Sequence, residues 1–169
     1  MIILISSPMP RSGKDTVAEY LEKEYGFYRT AFADPLKELC VDYFKWDGVK
    51  DTKGRNFIIG IAQAVKNIDP YFWVKKTYEQ IKRKDVTNRD IVISDLRFEE
   101  ELWILSQPEF TNEKKVIIGV ERGDKTPKGV SQVDYLKIEK DVIIDNSKDF
   151  NHLFNQVDIL IENTQRRDI

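Results

Sequence analysis

Residues 1–16 read MIILISSPMPRSGKDT. Met1 to Ile5 is an apolar run of the length of a buried strand. Ser6 to Ser12 is rich in turn formers, and Gly13-Lys14-Asp15-Thr16 leads into a segment with Val17, Ala18 and Leu21 on one helical face. Strand, tight loop, Gly-Lys and helix is the setting in which a phosphate-binding loop is expected. Unpaired loop amides and the helix dipole both favour negative charge there. The loop amides and the helix start then make an anion site, Lys14 reaches the outer phosphates of a nucleotide, and the Thr16 hydroxyl serves an inner one. Two positions depart from the common pattern. Pro8 stands where a Gly is usual and offers no N–H. Asp15 replaces the hydroxyl residue that usually follows the Lys and meets Mg²⁺, an ion that oxygen ligands suit, directly or through water. The alternative reading is a plain strand–turn–helix with a solvated lysine.

Outward from this stretch, apolar strands alternate with amphipathic segments. Strands are expected at 2–6, 27–33, 90–95, 115–121 and 142–145. Helices are expected at 14–24, 35–46, 57–66, 70–83, 98–105 and about 149–161. Gly48 to Gly54 and Arg122 to Gln132 read as polar loops, and Asp34-Pro35 as a helix start with Asp34 capping. This alternation predicts an α/β fold, a three-layer αβα sandwich on a five-stranded parallel sheet. Ligands of such sheets bind at the carboxyl ends of the strands.

Lys+Arg 27 against Asp+Glu 29 leaves a net charge of −2 in 169 residues. The length suggests one domain, 1–169. The charge balance predicts no nucleic-acid polymer and no anionic membrane as partner. No apolar run approaches the ~20 residues of a membrane span, and no basic segment precedes the first apolar run as in a signal peptide. Cys40 is the sole cysteine and His152 the sole histidine. A lone thiol allows no intrachain disulfide and is compatible with a reducing compartment. A cytoplasmic location is the expectation.

The chemically informative residues fall at strand ends. Asp95 closes Ile91-Val92-Ile93-Ser94 and reads as the second carboxylate for Mg²⁺, beside Asp15. Arg97, two residues on, is placed to bind a phosphate bidentately, unless it is spent on a surface salt bridge to Glu99, Glu100 or Glu101. Asp34 and Lys37, in Phe32-Ala33-Asp34-Pro35-Leu36-Lys37, mark a second anion-friendly helix start, with plain N-capping as the alternative for Asp34. The middle segment contributes Arg55, Gln63, Lys66 and Trp73 as acceptor-site candidates, with core packing the stronger reading for Trp73. Arg122 and Lys125 lie in a cationic loop able to close over donor phosphates.

Together these stretches resemble the phage and bacterial deoxynucleoside monophosphate kinases, a branch of the P-loop nucleoside monophosphate kinases. The matching pieces are Ser12-Gly13-Lys14-Asp15-Thr16, Phe32-Ala33-Asp34-Pro35-Leu36-Lys37, Asp69-Pro70 with Trp73-Val74, Asp95-Leu96-Arg97-Phe98 with Glu101, and the tail from Val142 to Val157. The resemblance implies a P-loop kinase fold with a helical acceptor-binding insertion at about 35–84 and a short lid at about 122–138. It implies transfer of the ATP γ-phosphate to a (deoxy)nucleoside 5′-monophosphate with Mg²⁺ as cofactor, in a homodimer, and the host cytoplasm if the chain is phage-encoded. Carried over, Arg11 to Thr16, Arg122 and Lys125 hold ATP, and Asp15 and Asp95 hold the metal. Asp34, Lys37, Arg55, Gln63, Lys66, Trp73 and Arg97 hold the acceptor, and Lys14, Asp15, Asp34, Arg97 and Arg122 act in catalysis. Glu100 stands where the family has Asn. Two other readings stay open on the residues: a small-molecule kinase of the phosphomevalonate type, and a nucleotide-binding module without turnover.

Overall fold

The structure, a computed structural model, describes residues 1–123 and 130–166. Strands β1 (Ile2–Ser6), β2 (Tyr28–Thr30), β3 (Ile91–Leu96), β4 (Lys115–Glu121) and β5 (Val142–Asp145) form one sheet in the order β2-β3-β1-β4-β5. All its pairings are parallel. Ile2, Ile3, Leu4 and Ile5 are fully buried because β1 is the middle strand, covered on both faces. A parallel central strand therefore reads as a continuous apolar run.

The strand period of two divides the core. Ile3 and Ile5 pack with Val17, Ala18 and Leu21 of α1 (Lys14–Tyr25) and Leu153, Val157 and Ile161 of α6 (Phe150–Arg166). Ile2 and Leu4 face the other side, against Val74 and Ile81 of α4 (Phe72–Arg83) and against Ile104 and Phe110. A third cluster, Leu36, Cys40 and Trp73, joins α2 (Asp34–Phe44), α3 (Thr52–Lys66) and α4 beside the sheet. The expected three-layer α/β architecture is present, and parallel pairing brings every strand's carboxyl end to one edge.

Several elements differ from the sequence expectation. The second strand stops at Thr30 instead of Ala33, because the Phe32 and Ala33 N–H groups donate to the Asp95 carboxylate and not to a strand. The third helix begins at Thr52, five residues early, because Asp51 caps it by accepting from the Gly54 N–H at 2.7 Å. Residues 99–106 wind as a 3₁₀ segment rather than an α-helix. Val130–Lys137 forms a helix, α5, where the sequence predicts a loop running to Gln132.

Candidate active site

The loop between β1 and α1 turns through two left-handed residues, Arg11 (φ 62°) and Gly13 (φ 104°). Gly13 is needed twice over. Its φ strains any L side chain, and a Cβ there would collide with the Asn146 amide. Asn146, just past β5, donates from Nδ2 to the Ser12 carbonyl at 2.7 Å and so braces the loop. Ser12 is fully buried, and its hydroxyl has no partner among the described residues. Val17 N–H donates to the Gly13 carbonyl at 3.0 Å, closing the first turn of α1. The N–H groups before it have no intrahelical acceptor, as at any helix start. Lys14, at that start, places Nζ 2.9 Å from Asp15 Oδ2. Asp15 also faces Arg29 of β2, whose NH2 is 3.7 Å from Oδ1.

Asp95 lies next to this loop because β3 pairs directly with β1. Its carboxylate accepts from Phe32 N–H at 2.6 Å and from Ala33 N–H at 3.0 Å. Burial pushes its pKa up, the two backbone donors and Lys14 pull it down, and Asp34 pushes it up. Asp34 fixes the same turn from the other side. It accepts from Ala31 N–H at 2.9 Å and from Lys37 Nζ at 2.7 Å.

Two clefts meet at Lys14, Asp15 and Asp95. The first, about 660 Å³, is lined by the phosphate-type loop, by Arg55, Ile58, Ala62 and Lys66 of α3, and by Arg97 and Phe98. The second, about 600 Å³, is more polar and is bordered by Arg29, Asp34, Lys37 and Ser94.

The chain is 25% identical, over 185 residues, to a protein of Acanthamoeba polyphaga mimivirus named "Putative deoxynucleotide monophosphate kinase". That match covers 92% of this chain and 93% of the viral protein. The fold is similar to that of dephospho-CoA kinase from Campylobacter jejuni, with a TM-score of 0.57 at 18% identity, over 99% of this chain and 98% of that one. No family model matches the chain.

The fold is that of a P-loop kinase.

The resemblance to the deoxynucleoside monophosphate kinases is matched by the viral relative along nearly the whole chain. In this P-loop fold, Arg11, Lys14, Asp15, Arg55, Lys66, Trp73, Asp95 and Arg97 all border the first cleft. Asp34 and Lys37 border the second, so the expected acceptor set is split between the two. The N-cap of α2 is Ala33; the Asp34 carboxylate reaches back to Ala31 instead of capping forward. Gln63 borders neither cleft. It is exposed and donates to Asn67 Oδ1 at 2.8 Å. The cleft face of α3 follows Arg55, Ile58, Ile59, Ala62 and Lys66, and Gln63 lies one residue round the helix from that face. Trp73 is buried, with Nε1 donating to the Ala62 carbonyl at 3.3 Å, so it packs the insertion and shows only an edge to the cleft. Thr16 is half-buried and Arg122 exposed, and neither borders either of these two clefts. Lys125, with residues 124–129 of the expected lid, lies outside the described residues. Most of the described part of that span is α5, whose buried Tyr135 donates to Glu121 Oε1 at 2.7 Å and borders the first cleft.

Glu101 was legible as part of a motif but not as a site residue. Although the residue as a whole is partly exposed, its carboxylate is enclosed at the cleft. Burial, then the nearby Asp95 charge, pushes its pKa up to about 8 from the usual 4.5, against the pull of Phe98 and Arg97 N–H and of Lys66. A raised folded-state pKa means that folding favours the protonated acid. The stability this group contributes is therefore complete below 4.5 and lost as pH rises through about 8. Glu101→Gln stays neutral, so it is expected to gain on wild type across that window, by up to a few kcal/mol, since each tenfold change in proton affinity is worth about 1.4 kcal/mol. Urea unfolding of both proteins across the pH range measures the gap. A constant gap would mean that the carboxylate is solvated.

Proposed function

We propose that the protein transfers the γ-phosphoryl group of ATP to a (deoxy)nucleoside 5′-monophosphate, giving the diphosphate. The observation that carries this reading is the first cleft. Its lining brings Lys14 and Asp95 together with three further cations, Arg55, Lys66 and Arg97. The same lining includes apolar Ile58, Ala62 and Phe98, suited to a planar base. The name of the viral relative points to the same substrate class.

On this reading the loop from Arg11 to Thr16 holds the donor phosphates, with Lys14 on the transferring group. Arg55, Lys66 and Arg97 orient the acceptor phosphate. That phosphate is already largely ionised at neutral pH, so no strong general base is required, and positioning with charge stabilisation carries the rate. The donor set suits Mg²⁺. Two carboxylates, Asp15 and Asp95, border both clefts beside Lys14. This ion is commonly held by one or two carboxylates, water and substrate phosphates rather than by an all-protein cage. Among the described residues no cluster of three or more His, Cys, Asp or Glu makes such a cage. Asp95 already accepts two backbone N–H groups, which fits a role through water. Mg²⁺, when bound, would neutralise charge on the donor phosphates.

The test is ADP release with ATP and Mg²⁺ against all common ribo- and deoxyribonucleoside monophosphates, with dephospho-CoA and phosphomevalonate as further acceptors. Turnover of one or a few nucleotides is expected. Turnover of dephospho-CoA or phosphomevalonate alone would reassign the acceptor, and ATP binding without turnover of any of them would favour a binding module.

A further inference from the structure

We propose that Glu101 is a positioning residue that sets Arg97 and Lys66 on the acceptor wall, through the backbone of the turn after β3. This rests on the acceptor site just described. Glu101 Oε2 accepts from two successive amides, Arg97 N–H at 2.7 Å and Phe98 N–H at 3.0 Å. One carboxylate oxygen thus holds the chain where it leaves the sheet and enters the 3₁₀ segment.

What that turn carries is two cations on one ring. Lys66 Nζ, from α3, sits 3.4 Å from the Phe98 ring centroid. The Arg97 guanidinium carbon is 5.3 Å from the same centroid. The negative face of an aromatic ring holds a cation without neutralising it. The nearest carboxylate to Lys66, Glu100 Oε1, is at 3.9 Å, the outer edge of an ion pair. Arg97 makes no ion pair among the described residues, so the surface salt bridge that its acidic neighbours suggested is absent there. Its bond to Glu101 runs through the backbone, which leaves the guanidinium for a ligand. Two cations gathered on one ring and lining one cleft suit a phosphate. Their placement depends on the Phe98 ring, and the ring's depends on Glu101.

The test compares wild type, Glu101→Ala and Glu101→Gln. A Gln carbonyl oxygen can accept both N–H groups, so the Gln variant should behave as wild type in the readouts below. In the Ala variant, hydrogen exchange at the Arg97 and Phe98 amides should rise by roughly tenfold or more, because their shared acceptor is gone. The KM for the nucleoside monophosphate should rise by a similar factor of about ten, while the KM for ATP stays within about twofold. Unchanged exchange in the Ala variant overturns the proposal, as does a KM for ATP that rises in step with that of the acceptor. If the Ala variant does not fold, a Gln variant with a raised acceptor KM overturns it as well. If wild type phosphorylates no nucleoside monophosphate, the function proposed above falls. The positioning role is then judged by exchange and by inorganic phosphate binding, which must weaken in the Ala variant and not in the Gln variant.

Discussion

Lys14→Ala is expected to lower kcat by at least about 10²-fold, the range seen when a single preorganised charge-stabilising donor is removed from an active site. The fold should be unaffected. The Lys14 side chain is 25% exposed, and its ion pair is with Asp15, which is 65% exposed. Such a pair contributes about 0–1 kcal/mol. Activity and stability should therefore separate cleanly, with a large fall in turnover and a melting temperature close to wild type. A second consequence follows from Asp95, whose carboxyl Lys14 pulls down. Removing the ammonium leaves burial less opposed, so the acid limb of any residual activity should move to higher pH. Steady-state kinetics on the folded variant decide the matter. Near-wild-type turnover would remove the loop from the chemistry and, with it, the kinase reading.

Asp95→Asn is expected to cost about 10²–10³-fold in kcat through loss of the carboxylate charge at the phosphates. Its effect on stability is the resultant of two opposed effects. The Asn oxygen can accept from only one of the Phe32 and Ala33 amides if its NH₂ group faces the other, and a stranded donor costs about 1–3 kcal/mol. Against this, burial raises the Asp95 pKa despite three favourable neighbours, so the ionised form is disfavoured by folding. The sign follows. A raised carboxyl pKa contributes stability at acid pH that is lost as pH rises through the folded value. The Asn variant, with no charge to bury, should be least stable relative to wild type in acid and should recover toward neutral pH. Chemical denaturation at several pH values, run beside the kinetics, reads both effects. Wild-type kcat in a folded Asn variant would sink the metal role of Asp95. A stability gap that widens toward neutral pH would mean that the two amide bonds outweigh the buried charge.

Much of the architecture was legible because it is written locally. An apolar pentapeptide before Ser6, a turn with Gly13, and Val17, Ala18 and Leu21 at helical spacing describe β1, the loop and α1 without reference to the rest of the chain. The same holds for β3 and β4, whose boundaries differ from expectation by no more than one residue at either end. The differences arise where a distant residue overrides a local preference. Phe27 to Ala33 has the composition of one strand, yet its end leaves the sheet because Asp95, 63 positions from Phe32, accepts the Phe32 and Ala33 amides. Gln63 has the chemistry of a base reader, yet the rotation of α3 aims it at Asn67. Helix α5 is short, and its buried anchor, Tyr135, reaches Glu121 fourteen residues away.

By itself, then, the sequence determined the alternation of strand and helix, hence a parallel α/β sheet, and the loop at Lys14 with Asp95 at the end of another strand. Periodicity, turn chemistry and capping act within a few residues, so they can be read along the chain. Strand order, the Asn146 brace on Ser12 across 134 positions, the split of the polar residues between two clefts and the enclosure of the Glu101 carboxylate belonged to the tertiary structure. Those depend on which surfaces bury one another. A polar side chain's role is set by the donors, charges and solvent that packing leaves around it, and residues far apart in the chain supply them.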